Sequence, residues 1–134
     1  MGQPALLPTA VPSEPLLQEY VHLFNERYFY DCHEVAEDLW IEVADDPDPG
    51  RPDRDFLRGL IHVATAFHHL FRRNRRGFEA RARSALGLLG SHPPLAHGLP
   101  VGALCDSLRL WLGRLPADAA APAPAYRDAD VPRI

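Results

Sequence analysis

His33 and Glu37 stand four residues apart in the run His33-Glu34-Val35-Ala36-Glu37-Asp38-Leu39-Trp40. An imidazole nitrogen and a carboxylate oxygen are donors that suit zinc, iron or manganese. On a helix, positions i and i+4 lie about 40° apart, so both side chains share one face. The wheel from Phe29 to Ala44 has an apolar arc containing Cys32, Val35, Ala36, Leu39, Trp40 and Val43. His33 falls within that arc and Glu37 at its edge, whereas Glu34, Asp38 and Glu42 lie opposite. The pattern predicts an imidazole and a carboxylate held against a hydrophobic core, where an unpaired polar group costs on the order of several kcal/mol. Two readings follow. One is a divalent-metal or small-ligand site. The other is a buried His–Glu hydrogen bond that fixes one helix on the next and orients Trp40, in a non-enzymatic interaction or scaffold protein.

Further donors lie on the next helical stretch. Arg58, His62, Thr65, His69 and Arg72 form a polar stripe across from Phe56, Leu60, Val63, Phe67, Leu70 and Phe71. Gly59 and Ala66, seven apart, permit a close helix approach beside that stripe. If the neighbour is the helix that carries His33, then His33, Glu37, His62 and His69 converge between the second and third helices. His33 and His69 would then supply neutral nitrogen ligands and Glu37 an oxygen. An open coordination position would activate water, so metal-assisted hydrolysis is the first enzymatic expectation. His68 lies on the other flank and reads as a core-edge histidine. Arg72, Arg73, Arg75 and Arg76 surround Asn74 and form a candidate anion-binding turn for nucleic acid or an acidic partner. The alternative is that they complement a helix dipole in a solvated turn. The only aromatics nearby in sequence, Phe71 and Phe78, are assigned by the helical pattern to the core.

Other chemistries lack their residues. His33-Glu34-x-x-Glu37 has a glutamate where a zinc protease needs its second histidine. A di-iron bundle needs two Glu-x-x-His pairs, and only Glu19-x-x-His22 fits. No Gly-rich phosphate loop, Cys-x-x-Cys or Gly-x-Ser-x-Gly occurs.

These residues need helices to position them. Ser13 with Pro15 starts the first, which should end near Arg27. The spacing predicts further helices over about 29–44, 55–73, 75–89 and 101–115. The runs 45–54 and 90–100 are rich in Pro, Gly and Asp and read as loops. The expectation is an all-α fold, one domain of about five helices in an irregular antiparallel bundle. Residues 1–12 form a flexible lead-in, 13–115 the helical domain, and 116–134 an Ala/Pro-rich C-terminal strap whose end regains apolar groups able to dock on the body.

The 134 residues suffice for one core. Every basic residue is arginine, and the net charge of −4 offers no global field for nucleic acid, which is an unfavoured partner. Cys32 and Cys105 fall on apolar faces, as buried reduced thiols do. No run has the roughly 18 apolar residues of a membrane span, and no basic-then-apolar leader opens the chain. The expectation is a cytoplasmic protein, with a homodimer compatible with its size.

The arrangement Phe24-Asn25, Phe29-Tyr30, His33-Glu34, Glu37 and Trp40, followed by Phe56-Leu57, Gly59-Leu60-Ile61, Ala64, Ala66, His69 and Asn74, resembles the DUF309 family of bacterial and archaeal proteins. The likeness covers about residues 20 to 90. It implies a small all-helical domain of unknown function. It also implies metal binding at the His-x-x-x-Glu-x-x-Trp/Tyr motif, whose positions here are His33, Glu37 and Trp40. The sequence departs at His62, where the family carries glutamine.

Overall fold

Pro15 at the first helical position sets the start of α1 (Pro15–Asn25), since its fixed φ suits a helix and its missing N–H needs no partner there. The computed structural model describes residues 12–134, so the lead-in lies outside the described residues apart from Pro12. Four more helices follow: α2 (Phe29–Asp45), α3 (Arg54–Phe71), α4 (Arg75–Leu89) and α5 (Val101–Gly113). A single 3-10 turn spans Asp128–Asp130. Two caps fit their side chains. Asp53 Oδ1 accepts from the Phe56 N–H at 2.7 Å, and Asn74 Oδ1 accepts from the Gly77 N–H at 3.0 Å. Ser13 does not cap α1. The N-cap is Glu14, whose carboxylate instead takes a bond from Arg51 at 2.9 Å.

Neighbours in the chain are neighbours in space, α1 on α2, α2 on α3, α3 on α4 and α4 on α5. The described residues contain no strand, only an isolated bridge between Ala96 and Leu99 around His97 and Gly98, both at positive φ. The fold is therefore all-α. The core is made of Tyr20, Phe24, Phe56, Leu60, Phe67, Phe78, Leu104 and Trp111, all essentially without exposure. Tyr20 donates to the Leu60 carbonyl at 2.8 Å and ties α1 to α3. Gly59 permits the approach of α4, since a Cβ there would meet Leu89 at 2.6 Å. Both cysteines are free and buried, and burial pushes each thiol up from its ordinary value.

Three helices end earlier than the spacing predicts, α5 among them at Gly113. α1 stops at Asn25 and α3 at Phe71 because Arg27 (φ 68°) and Arg73 (φ 57°) turn left-handed. Each follows its C-cap and closes the same pair of bonds: Arg27 N–H to Phe24 O with Tyr28 N–H to Leu23 O, and Arg73 N–H to Leu70 O with Asn74 N–H to His69 O. That is the Schellman pattern, which normally places glycine where these arginines stand. Their side chains show what holds them there. Arg27 donates to Asp128 at 2.7 Å, Val131 O at 2.8 Å and Pro132 O at 3.1 Å, and Arg73 donates to Ala123 O at 2.9 Å.

Residues 116–134 are thus an extended strap fastened to the body. Trp111 Nε1 and Ser107 Oγ both donate to Asp130 O, at 3.1 and 2.7 Å. Ala123 and Val131 are buried, and Tyr126 stacks on Trp111 with ring centroids 6.4 Å apart.

Candidate functional site

The helical spacing does put His33 and Glu37 on one face of α2, and the His33 Nε2 to Glu37 Oε2 distance is 4.0 Å. His33 Nδ1 meets the Tyr30 carbonyl one turn earlier. A carbonyl only accepts, so Nδ1 carries a proton in that contact. The pair is not buried, however, because the Glu37 side chain is 53% exposed. At the edge of the apolar arc a carboxylate extends outward to water rather than inward.

The expected convergence of four donors does not form. Among the described residues, no group of three or more His, Cys, Asp or Glu is placed to hold a metal ion. His69 turns toward α4 instead of α2. Its ring packs on Gly77, where a Cβ would come within 2.6 Å, and its Nδ1 lies 3.2 Å from Asn74 Nδ2. His68, read from the sequence as a core-edge residue, is the histidine on the His33 side. Tyr30 stacks with both, at centroid distances of 4.7 Å to His33 and 5.4 Å to His68. Ala66 is buried in the α3 face as its small size allows.

What α2 and α3 do build between them is a groove of about 320 Å³, lined by Glu37, Trp40, Ile41, Arg58, Ile61 and His62. Glu37 and Trp40 are one helical turn apart on α2, and Arg58 and His62 one turn apart on α3. The Arg54 guanidinium covers the Trp40 ring, 3.6 Å from its centroid. Trp40 Nε1 and His62 Nδ1 are both buried without a hydrogen-bond partner among the described residues, the state that buried polar groups most rarely adopt. Burial, then Arg81 and Arg58, lowers the His62 pKa, so this imidazole is neutral at pH 7. Ile41 is 53% exposed and forms an apolar wall. The groove therefore presents a cation, a carboxylate, an indole and two isoleucines.

Residues 17–80 match the family model described as a domain of unknown function, DUF309. Over that stretch the chain is similar to the DUF309 family. The matched stretch holds α1, α2, α3 and the start of α4, and so every residue that lines the groove. No curated protein and no solved structure matches the chain. No described helix of this protein is long and apolar enough to cross a membrane.

The arginine turn divides in two. Arg73 is spent on Ala123 O, and Arg75 donates to Pro116 O and to Asp118 O at 2.8 Å. Arg72 and Arg76 have no acceptor among the described residues. The sequence reading singled out Glu37, Trp40 and His62 but passed over Ile41, Arg54 and Ile61. Ile41 stands between Trp40 and Glu42 at a position that the wheel leaves outside the apolar arc. An apolar residue out of phase with its helix was the available signal.

Proposed function

We propose that this protein binds a small organic acid in the groove between α2 and α3. The observation that carries the reading is that Arg58, which has no carboxylate or carbonyl partner among the described residues, lines one apolar-walled groove with Trp40 and His62, two residues whose Nε1 and Nδ1 are buried and unpartnered there. A ligand with a flat apolar body lies against Ile41, Ile61 and Trp40, and its carboxylate meets Arg58. Glu37 at the rim disfavours a second negative charge. A ligand that binds only the folded state raises the melting temperature by mass action. Benzoate as the probe is expected to raise it in the native protein and not in Arg58→Ala, while benzylamine raises neither. An equal rise with benzoate in Arg58→Ala would refute the placement.

A divalent metal at His33 and Glu37 is a second reading, favoured by the contact between His33 Nδ1 and the Tyr30 carbonyl. Metal-bound histidines almost always donate their other nitrogen in this way, which fixes the tautomer. The two residues would supply one nitrogen and one oxygen to zinc, iron or manganese, fewer than the three protein ligands of most catalytic zinc sites. Elemental analysis of protein purified without chelator tests it. Metal present in the native protein and lost in Glu37→Ala supports this reading, and none in either protein after equilibration with divalent ions rejects it.

A further inference from the structure

A neighbouring part of the surface, which shares Arg58 with the groove between α2 and α3, joins charge to aromatic rings in a way the linear sequence conceals. Every arginine except Arg54, Arg58, Arg72, Arg76 and Arg81 pairs with a carboxylate or a backbone carbonyl among the described residues. Arg54 lies on Trp40. Of the remaining four, Arg58 of α3 and Arg72 at its C-cap are exposed, on the side of the helix that carries the half-buried His62 and His69. Arg81 of α4 acts on the same two histidines. Arg58 and Arg72 are fourteen positions apart, which on a helix is about 21 Å.

At the Arg72 end the fold assembles rings from three places in the chain. Tyr28 comes from the α1–α2 turn, Tyr30 from the first turn of α2, and His68 and Phe71 from the last turns of α3. With Arg27, Phe29, Asp31 and Arg72 they line a groove of about 300 Å³. Phe71 is 60% exposed, Tyr28 59% and Tyr30 50%. The sequence pattern places Phe71 in the core, but as the last residue of α3 it lies outside it, edge-on to Tyr126 of the strap. The arginine stripe therefore does have aromatics beside it.

We propose that this ridge binds single-stranded nucleic acid, with unpaired bases stacked on Tyr28 and Phe71, Tyr30 packed between them and the histidines, and the phosphates following Arg72, Arg81 and Arg58. Rings with exposed faces beside unneutralised arginines are the two components that sequence-tolerant single-strand binding requires. A duplex keeps its bases stacked and offers these rings nothing. An acidic peptide would use the arginines and leave the rings idle. A free nucleotide would need Arg72 alone, whereas the cations continue along α3. Asp31 is the acid that lines the ring groove and opposes the strand.

Fluorescence anisotropy of a labelled oligouridine of about 12 nucleotides tests the proposal. Binding is expected at low salt, weakening with a log–log salt slope of about −2, as three arginines contribute roughly 0.7 each. Arg72→Ala and Arg81→Ala each flatten the slope by about 0.7. Tyr28→Ala and Phe71→Ala each weaken binding about tenfold at unchanged slope, as loss of one stacked base does. Asp31→Asn tightens it, and Arg83→Ala, which loses only a pair with Glu79, leaves it unchanged. These side chains are exposed, and circular dichroism confirms that each variant folds. Absence of binding at about 0.1 mM protein, the weak end of non-specific affinity, would overturn the proposal. So would equal affinity for a duplex, for uridine monophosphate or for polyglutamate, or full affinity in Tyr28→Ala.

Discussion

Arginine in this chain does work that position along the sequence does not announce. Arg27 and Arg73 occupy left-handed positions where a residue with a Cβ costs about 1 kcal/mol over glycine. Each offsets that cost by fastening the strap. Asp128 shows the other side of the Arg27 contact. Partial desolvation pushes its carboxyl up, but hydrogen bonds from Tyr126, Arg27 and Arg133 win and hold it below its usual value. The strap contact is therefore complete above the ordinary aspartate range and fails as the pH drops through the lowered value. Arg27→Ala is expected to cost about 2 kcal/mol, since it leaves the Val131 and Pro132 carbonyls without their donor. The urea midpoint checks this, and an unchanged midpoint would contradict the assigned role. The sequence showed four arginines around Asn74 and no more. Which of them face carbonyls and which face water depends on a strap forty residues further along the chain.

At the scale of elements, helical periodicity located α2 to within one residue and α4 as it stands, because the apolar spacing is regular in both and Asn74 caps α4. It misplaced the C-termini of α1, α3 and α5, and in α1 and α3 no glycine or proline signals the stop. It also correctly read Gly59 as a point of close approach, although the helix that approaches is α4. That assignment decides the site. With α4 against the Gly59 side of α3, His69 packs on Gly77, and α2 meets α3 through Trp40, Ile61 and His62. Periodicity gives the faces of a helix but not which neighbour takes each face, and so the four-donor cluster was a geometric inference that the packing does not realise. Gly59→Ala should test the close contact. Its Cβ would press on fully buried Leu89, and the expected loss is about 1–2 kcal/mol despite alanine's better helix propensity. A stabilised variant would show that the helices have room to spare.

For the molecule as a whole, charge is segregated within a net of −4. Asp31, Glu34, Asp38 and Glu42 lie along the outer side of α2, while the unpaired cations gather on α3 and α4. The histidines record this. Burial first, and then neighbouring cations, lower the pKa of His62 (Arg81, Arg58), His68 (Arg72, His33) and His69 (His68, Arg81, Arg72). A histidine whose folded pKa lies below its unfolded value contributes stability that is complete above about 6.5 and lost as the pH falls through the folded value. Urea midpoints should therefore fall between pH 7.5 and 5.5, and His62→Gln should reduce the drop. A midpoint that rises on acidification would contradict the electrostatic account. Composition gave the net charge without its distribution, which only the packing of α3 between α2 and α4 reveals. The same packing creates the groove on which the functional reading rests. Its most direct test is the indole N–H resonance of Trp40, assigned with Trp40→Phe and followed by nuclear magnetic resonance as benzoate is added. The account predicts a saturable shift of the Trp40 signal that disappears in Arg58→Ala, with the Trp111 signal still. A Trp40 signal that does not move at saturating benzoate, or that moves equally in Arg58→Ala, would contradict it.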